Sequence, residues 1–265
     1  MKASVSHFTI LSENNYALGR YYEGFFHMRP AAMQGAVEDV RVTDGRVGLT
    51  IKPRLAGYRA HLDHFGIETD DMGLALERIR ELYPRIDCVE RSPSSVSTHD
   101  PDGTVFTLSQ KGAKDREGFH DAAGQSHARV IDHFALRVVH PERVAAFYTE
   151  VFELKTLEVP SAGKNTYLSD GNVTLVIIPW RIADFTETGI SARGMDHIGF
   201  RVESLAALKE DIKRITERNY RFQPSQTVVG RGKEGKGRLD MFRNACPLGC
   251  HHMADADGLL IDVRE

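Results

Sequence analysis

The chain has 265 residues, 41% of them apolar, with 34 Lys and Arg against 37 Asp and Glu and a formal charge of −3. That length suits one large domain or two of about 130 residues, and the near-neutral balance gives no footing for nucleic-acid or membrane-surface binding. No apolar run approaches the roughly 18 residues of a membrane-spanning helix; the longest, Val173 to Trp180, is strand-sized.

Met1 to Ile10 lacks the apolar core of a secretion signal, so a cytoplasmic protein is expected. Three cysteines, Cys88, Cys246 and Cys250, make no disulfide framework and fit a reducing compartment.

From His7 to Pro53 the chain falls on itself at a shift of 126. His7-Phe8 meets His133-Phe134, Tyr22 meets Tyr148, and Phe26 meets Phe152. The turn signal Asp44-Gly45 and the later Pro53 meet Asp170-Gly171 and Pro179. A shift of 133 carries Asp63-His64 and Gly66 onto Asp196-His197 and Gly199, and Asp100-Pro-Asp-Gly103 resembles Asp255-Ala-Asp-Gly258. Within each half, Ser6-His7-Phe8 returns as Asp63-His64-Phe65, and Asp132-His133-Phe134 as Asp196-His197-Ile198. Such self-similarity marks one supersecondary unit used several times. Four modules result, 1–56, 57–112, 129–190 and 191–265, joined by a polar, aperiodic linker at 113–128.

Each module opens with an alternating strand, continues into a helix and closes with hairpin strands around Asp-Gly turns. In the third, Phe134, Leu136 and Val138 share a face under the helix, and His133, Ala135 and Arg137 share the other. Pro141 suits a first helical turn, with Val144, Phe147 and Val151 at helical spacing. Tyr22 and Tyr148 read as core. In the fourth, Ile198, Phe200 and Val202 oppose His197, Gly199 and Arg201, and Ser204 suits the N-cap before Leu205, Leu208, Ile212 and Ile215. The small Ala135 and Gly199 leave room in front of the histidines. The last strand, Leu259 to Arg264, turns Leu259, Ile261 and Val263 to the packing face and Leu260, Asp262 and Arg264 to the open one. His133, His197 and Asp262 thus leave the helix layer on one side, and converge if the modules pair around a common concavity.

Four strand-helix-strand repeats, the opening histidines and the closing Asp-x-x-Gly turn resemble the vicinal oxygen chelate superfamily, which includes glyoxalase, bleomycin-resistance proteins and type I extradiol dioxygenases. The resemblance covers nearly the whole chain outside the linker. It implies an α+β fold of four βαβββ modules arranged as two tandem cupped-sheet domains. Residues 1–112 would lack the catalytic metal and residues 129–265 would carry it, on His133, His197 and Asp262. The ion implied is Fe2+, with Mn2+ or another divalent metal as alternatives. The superfamily's closing pattern D-P-x-G-x-x-I-E is met by Asp255-Ala-Asp-Gly-Leu-Leu-Ile-Asp262, with an aspartate at the carboxylate position. The N-terminal counterparts are His7, His64 and Thr107, and a threonine supplies no anionic oxygen.

Two imidazoles and one carboxylate leave positions open for substrate and dioxygen. Where extradiol enzymes place a tyrosine ten residues before the carboxylate, this chain has His252, a residue type suited to moving a proton. Arg243 lies near the place of a further histidine and can meet an acidic substrate group. The resemblance therefore implies an extradiol-type dioxygenase acting on a catechol-like ring, with a small aromatic substrate and O2 as partners. The alternatives are a metal-dependent isomerase, epimerase or lyase of the glyoxalase type, and a non-catalytic resistance protein that binds an aromatic ligand. Dimers are common in the superfamily, so a homo-oligomer is compatible with it.

Two further motifs have plainer readings. Cys246-Pro-Leu-Gly-Cys250-His251-His252 lacks the pair spacing of a zinc knuckle, and no second thiol pair exists. Gly230 to Arg238 nearly writes a phosphate loop, but Gly237 stands where Ser or Thr belongs and no helix pattern follows. Its Arg231, Lys233, Lys236 and Arg238 read as a solvated loop that could also attract an anion.

Overall fold

The computed structural model describes residues 1–31, 38–113, 118–120, 127–159, 163–188, 194–222, 236–237, 240–241, 244 and 248–265. The first module is β1 (Ala3–Ser12), α1 (Asn15–Phe26), β2 (Arg29–Pro30), β3 (Val40–Thr43) and β4 (Gly48–Pro53). The second repeats that order as β5 (His61–Thr69), α2 (Met72–Leu82), β6 (Cys88–Ser92), β7 (Ser95–His99) and β8 (Val105–Gln110). The third is β9 (Val130–Val138), α3 (Pro141–Phe152), β10 (Lys155–Thr156), β11 (Thr166–Ser169) and β12 (Thr174–Pro179). A short α4 (Ile182–Thr188), which the sequence pattern did not announce, follows it. In the fourth, β13 (Gly194–Arg201) and α5 (Leu205–Arg218) lead to β14 (His251–Ala254) and β15 (Leu260–Arg264).

These strands form two mixed sheets, ordered β2-β3-β4-β1-β5-β8-β7-β6 and β10-β11-β12-β9-β13-β15-β14. At the centre of each, the opening strands of two modules run antiparallel, and each is flanked in parallel by the closing strand of its own module. The architecture is thus two tandem cupped sheets built from copies of one unit, as the repeat implies.

Alternation sorts the layers. Phe134, Leu136 and Val138 of β9 and Val144, Phe147 and Val151 of α3 are fully buried, each removing apolar surface from water at about 25 cal/mol per Å2. Pro141 begins α3, and Ser204 Oγ caps α5 by accepting from the backbone N–H groups of Ala206 and Ala207. The helix-bearing faces of the two sheets pack on one another. Phe8 meets Phe134 with ring centroids 5.1 Å apart, Phe26 stacks on Phe200 at 3.8 Å, and one apolar cluster runs through both halves. Among the described residues, no helix is long and apolar enough to cross a membrane.

The repeated polar residues tie the halves together reciprocally. Tyr22 donates its O–H to Asp255 at 2.9 Å, and Tyr148 donates to Asp100 at 3.4 Å. Asp44 Oδ2 accepts the Ile131 N–H and Asp170 Oδ2 the Val5 N–H, both at 2.7 Å. The other oxygen of each aspartate holds its own turn, which Gly45 and Gly171 complete at φ 88° and 96°, a region open to glycine. Both tyrosines are buried as expected, and each also bonds across to the other half. Removing the hydroxyl in Tyr22→Phe leaves a buried carboxylate short of a donor. Urea denaturation is expected to show a loss of about 1–3 kcal/mol, while Tyr16→Phe, at a 64% exposed position, leaves stability unchanged.

Candidate metal centre

β13 lies between β9 and β15. In this register His133 stands opposite Gly199, His197 opposite Ala135, and Gly199 beside Asp262. Three neighbouring strands therefore raise His133, His197 and Asp262 on the face turned away from the helices. All three are fully buried, and one potential ligand atom of each lies within 4.8 Å of the others. His133 Nε2 is 3.0 Å from Asp262 Oδ2, and the two imidazoles cross at 81° with centroids 5.7 Å apart. Glycine makes the room. A Cβ on Gly199 would overlap the His133 ring, and one on Gly249 would overlap the Asp262 carboxylate. The sequence signalled Gly199; Gly249 carries no pattern that could have revealed it.

Strict alternation misses one feature. The central pairings slip at four places, each skipping the residue just before an opening histidine: Ser6, Asp63, Asp132 and Asp196. These are β-bulges, which re-aim a side chain where one extra residue enters a strand. They bring each preceding residue to the Nδ1 side of its histidine, with Asp132 Oδ2 at 3.2 Å from His133 and Asp196 Oδ2 at 2.8 Å from His197. The repeated Asp-His pair was visible in the sequence, but its bulge was not.

Burial alone would raise the Asp262 carboxyl, yet the hydrogen bond from His133 and the close approach of His252 hold it well below the usual carboxylate range. Burial would likewise lower His133, but its bonds to Asp132 and Asp262 raise it instead. His252, opposite Asp262 on β14, places Nδ1 2.8 Å from Asp262 Oδ1. The aspartate side chain therefore reaches both neighbours. Two imidazoles and an ionised carboxylate, buried and converging, fit a divalent metal.

The N-terminal cup repeats the imidazole geometry without the charge. His7 and His64 cross at 83° with centroids 5.9 Å apart, and Thr107 Oγ1 stands 3.4 Å from His7 Nε2. Among the described residues, His133, His197 and Asp262 are the only such group close enough to share an ion. One linker residue, Phe119, enters the N-terminal cup. Phe119 is fully buried, lies parallel to the His7 ring and takes the Arg41 guanidinium 4.2 Å from its centroid. A Cβ on Gly48 would overlap the Phe119 ring. The polar composition of 113–128 gave no sign of this. Arg243 and Cys246, and Arg231, Lys233 and Arg238 of the glycine-rich loop, lie outside the described residues. Cys88 and Cys250 are exposed free thiols.

The model of the Glyoxalase/Bleomycin resistance protein/Dioxygenase superfamily matches residues 130–263. The chain belongs to that superfamily. No curated protein matches it in sequence. Among solved structures, it is similar to a Mn(II)-bound glyoxalase from Novosphingobium aromaticivorans (12% identity, TM-score 0.62, 98% of this chain and 81% of that one). It is also similar to BphC, a halotolerant catechol dioxygenase (13%, 0.60, 98% and 85%). A third is a xylose isomerase-like TIM barrel/4-hydroxyphenylpyruvate dioxygenase fusion protein (14%, 0.62), of which the chain covers 98% of its own length and spans 48% of the other. At such identities the likeness shows the fold.

Two outcomes follow from the geometry. Gly199→Ala is expected to displace His133 and weaken Mn2+ binding, read by calorimetry, on the order of 10–100-fold, while Gly66→Ala, at the matching place in the other cup, leaves it unchanged. Because His133 holds its proton above the ordinary imidazole range and must release it to a metal, apparent affinity should climb with pH through that range. It should level off only above the raised His133 value.

Proposed function

We propose that this protein is an iron(II)-dependent dioxygenase of the extradiol type, opening an aromatic diol ring next to its hydroxyls. The observation that carries the reading is the convergence of His133, His197 and Asp262 on one buried point. A metal bound there would polarise two adjacent substrate oxygens and hold dioxygen beside them. The protein's own groups supply the rest. A single carboxylate among three ligands leaves the centre positive, which favours a deprotonated diol. His252 turns Nδ1 to Asp262, so Nε2 is the atom that would accept the diol proton. A cavity of about 560 Å3, lined in part by Arg137, Lys164, Asn165, Ile178 and Arg181, shares with His133 the cup face of β9 and has the volume of a small-molecule site. Its lining mixes Lys164 and Arg181 with Asp184 and Asp240, which suits a polar substituent on the ring. In this reading residues 129–265 do the chemistry, and residues 1–112 support them.

A metal-dependent isomerase, epimerase or lyase of the glyoxalase type is the second reading. It is favoured by His252 in the place of the extradiol tyrosine and by the similarity to a Mn(II)-bound glyoxalase.

Protein purified without air should take up a single Fe2+ per chain and consume oxygen with catechols. His197→Ala should abolish both. His252→Ala should keep the metal while turnover falls about 10²–10⁴-fold. Turnover of a diol or hydroxycarbonyl compound without oxygen would select the second reading, and failure of the wild-type protein to bind any divalent metal rejects both.

A further inference from the structure

Behind each candidate metal-ligating histidine stands a carboxylate, and behind each carboxylate an arginine. Asp196 Oδ2 meets His197 Nδ1 at 2.8 Å, while its Oδ1 accepts from Arg137 Nε at 2.7 Å. Asp132 Oδ2 meets His133 Nδ1 at 3.2 Å, while its Oδ1 accepts from Arg264 Nη2 at 2.7 Å. Both relays cross strands, since Arg137 on β9 serves β13 and Arg264 on β15 serves β9. Arg137, Asp132 and Asp196 are all buried to more than nine-tenths of their side-chain surface.

We propose that Asp132 and Asp196, each clamped by its arginine, are positioning residues that fix the histidine tautomer and aim Nε2 at the metal. The proposal rests on reading His133 and His197 as ligands. An imidazole that donates its Nδ1 proton to a carboxylate keeps the Nε2 lone pair for coordination, and its ring can no longer turn. The arginine occupies the second carboxylate oxygen, so that the first has one partner and one direction.

The other half of the molecule shows that the fold does not require these relays. It has the same four-strand centre, the same bulges and nearly the same angle between its imidazoles. Yet Asp132 corresponds there to Ser6, Arg137 to Leu11, Arg264 to Ser109, and the ligand Asp262 to Thr107. The Asp63-His64 pair persists at 2.6 Å, and Ser6 Oγ gives His7 Nδ1 an uncharged partner at 3.0 Å. The arginines and one carboxylate are missing from the cup that lacks the anionic ligand, and present in the cup that has it. Their place is with the metal site and not with the strand pairing.

Nitrogen-15 NMR of the imidazoles in metal-free protein reads the tautomer, and competition between a chelator and the protein for Co2+ reads affinity. In Asp196→Ala, His197 is expected to leave the Nδ1–H form and Co2+ binding to weaken about 10–100-fold. Asp132→Ala should weaken binding similarly. Asp63→Ala, which alters the same motif in the other cup, should bind Co2+ as the wild type does. Arg137→Gln keeps the carboxylate and tests the relay if Asp196→Ala does not fold; it should also mix the His197 tautomers. An unchanged His197 tautomer in both variants overturns the proposal, as does a loss in Asp63→Ala equal to that in Asp196→Ala. If the wild-type protein binds no Co2+, the reading of the ligands falls, and the tautomers alone still decide whether Asp196 orients His197.

Discussion

The candidate metal centre at positions 133, 197 and 262 needs three distant segments to hold a fixed distance without flexing toward one another. Backbone hydrogen bonding between β9 and β13, with β15 alongside, meets that need. The register is unforgiving, because side chains alternate with period two. A slip of one residue between β9 and β13 would send His197 into the helix layer and bring Ile198 into the cup. The apolar faces prevent it, since Phe134, Leu136, Ile198 and Phe200 are all buried against the other half. Packing on one side of the sheet thus sets the chemistry on the other.

The two cups differ in what occupies that chemistry. Each presents two crossed imidazoles, so strand pairing alone does not make a metal site. The C-terminal cup adds an ionised oxygen and backs each ring with a carboxylate that an arginine holds. In the N-terminal cup a neutral hydroxyl stands at the third position and an aromatic ring fills the space. The contrast separates, within one chain, what the fold needs from what the candidate metal centre adds.

Much of this was legible beforehand, for a physical reason in each case. The repeat, the alternation of Phe134, Leu136 and Val138, and the Ser204 cap are local patterns, and local patterns survive in sequence. The placement of His133, His197 and Asp262 on one side followed from alternation, and their grouping from the resemblance to a known superfamily. What stayed hidden depends on non-local contact. The bulges at Asp132 and Asp196 are properties of a pair of strands and not of either one. Gly249 is needed only because its backbone passes over Asp262. Phe119 sits in a stretch whose composition is that of a linker, and its burial depends on a cup built elsewhere.

The bonds that Asp44 and Asp170 make across the molecule bear on how it comes apart. Each completes the start of an opening strand in the opposite half, so neither half in isolation can satisfy its own strand end. Melting of one would strip partners from the other at the same moment. Loss of order should therefore spread through the whole chain as a single cooperative event, and a break in residues 113–128 would leave two fragments that regain structure only by finding each other.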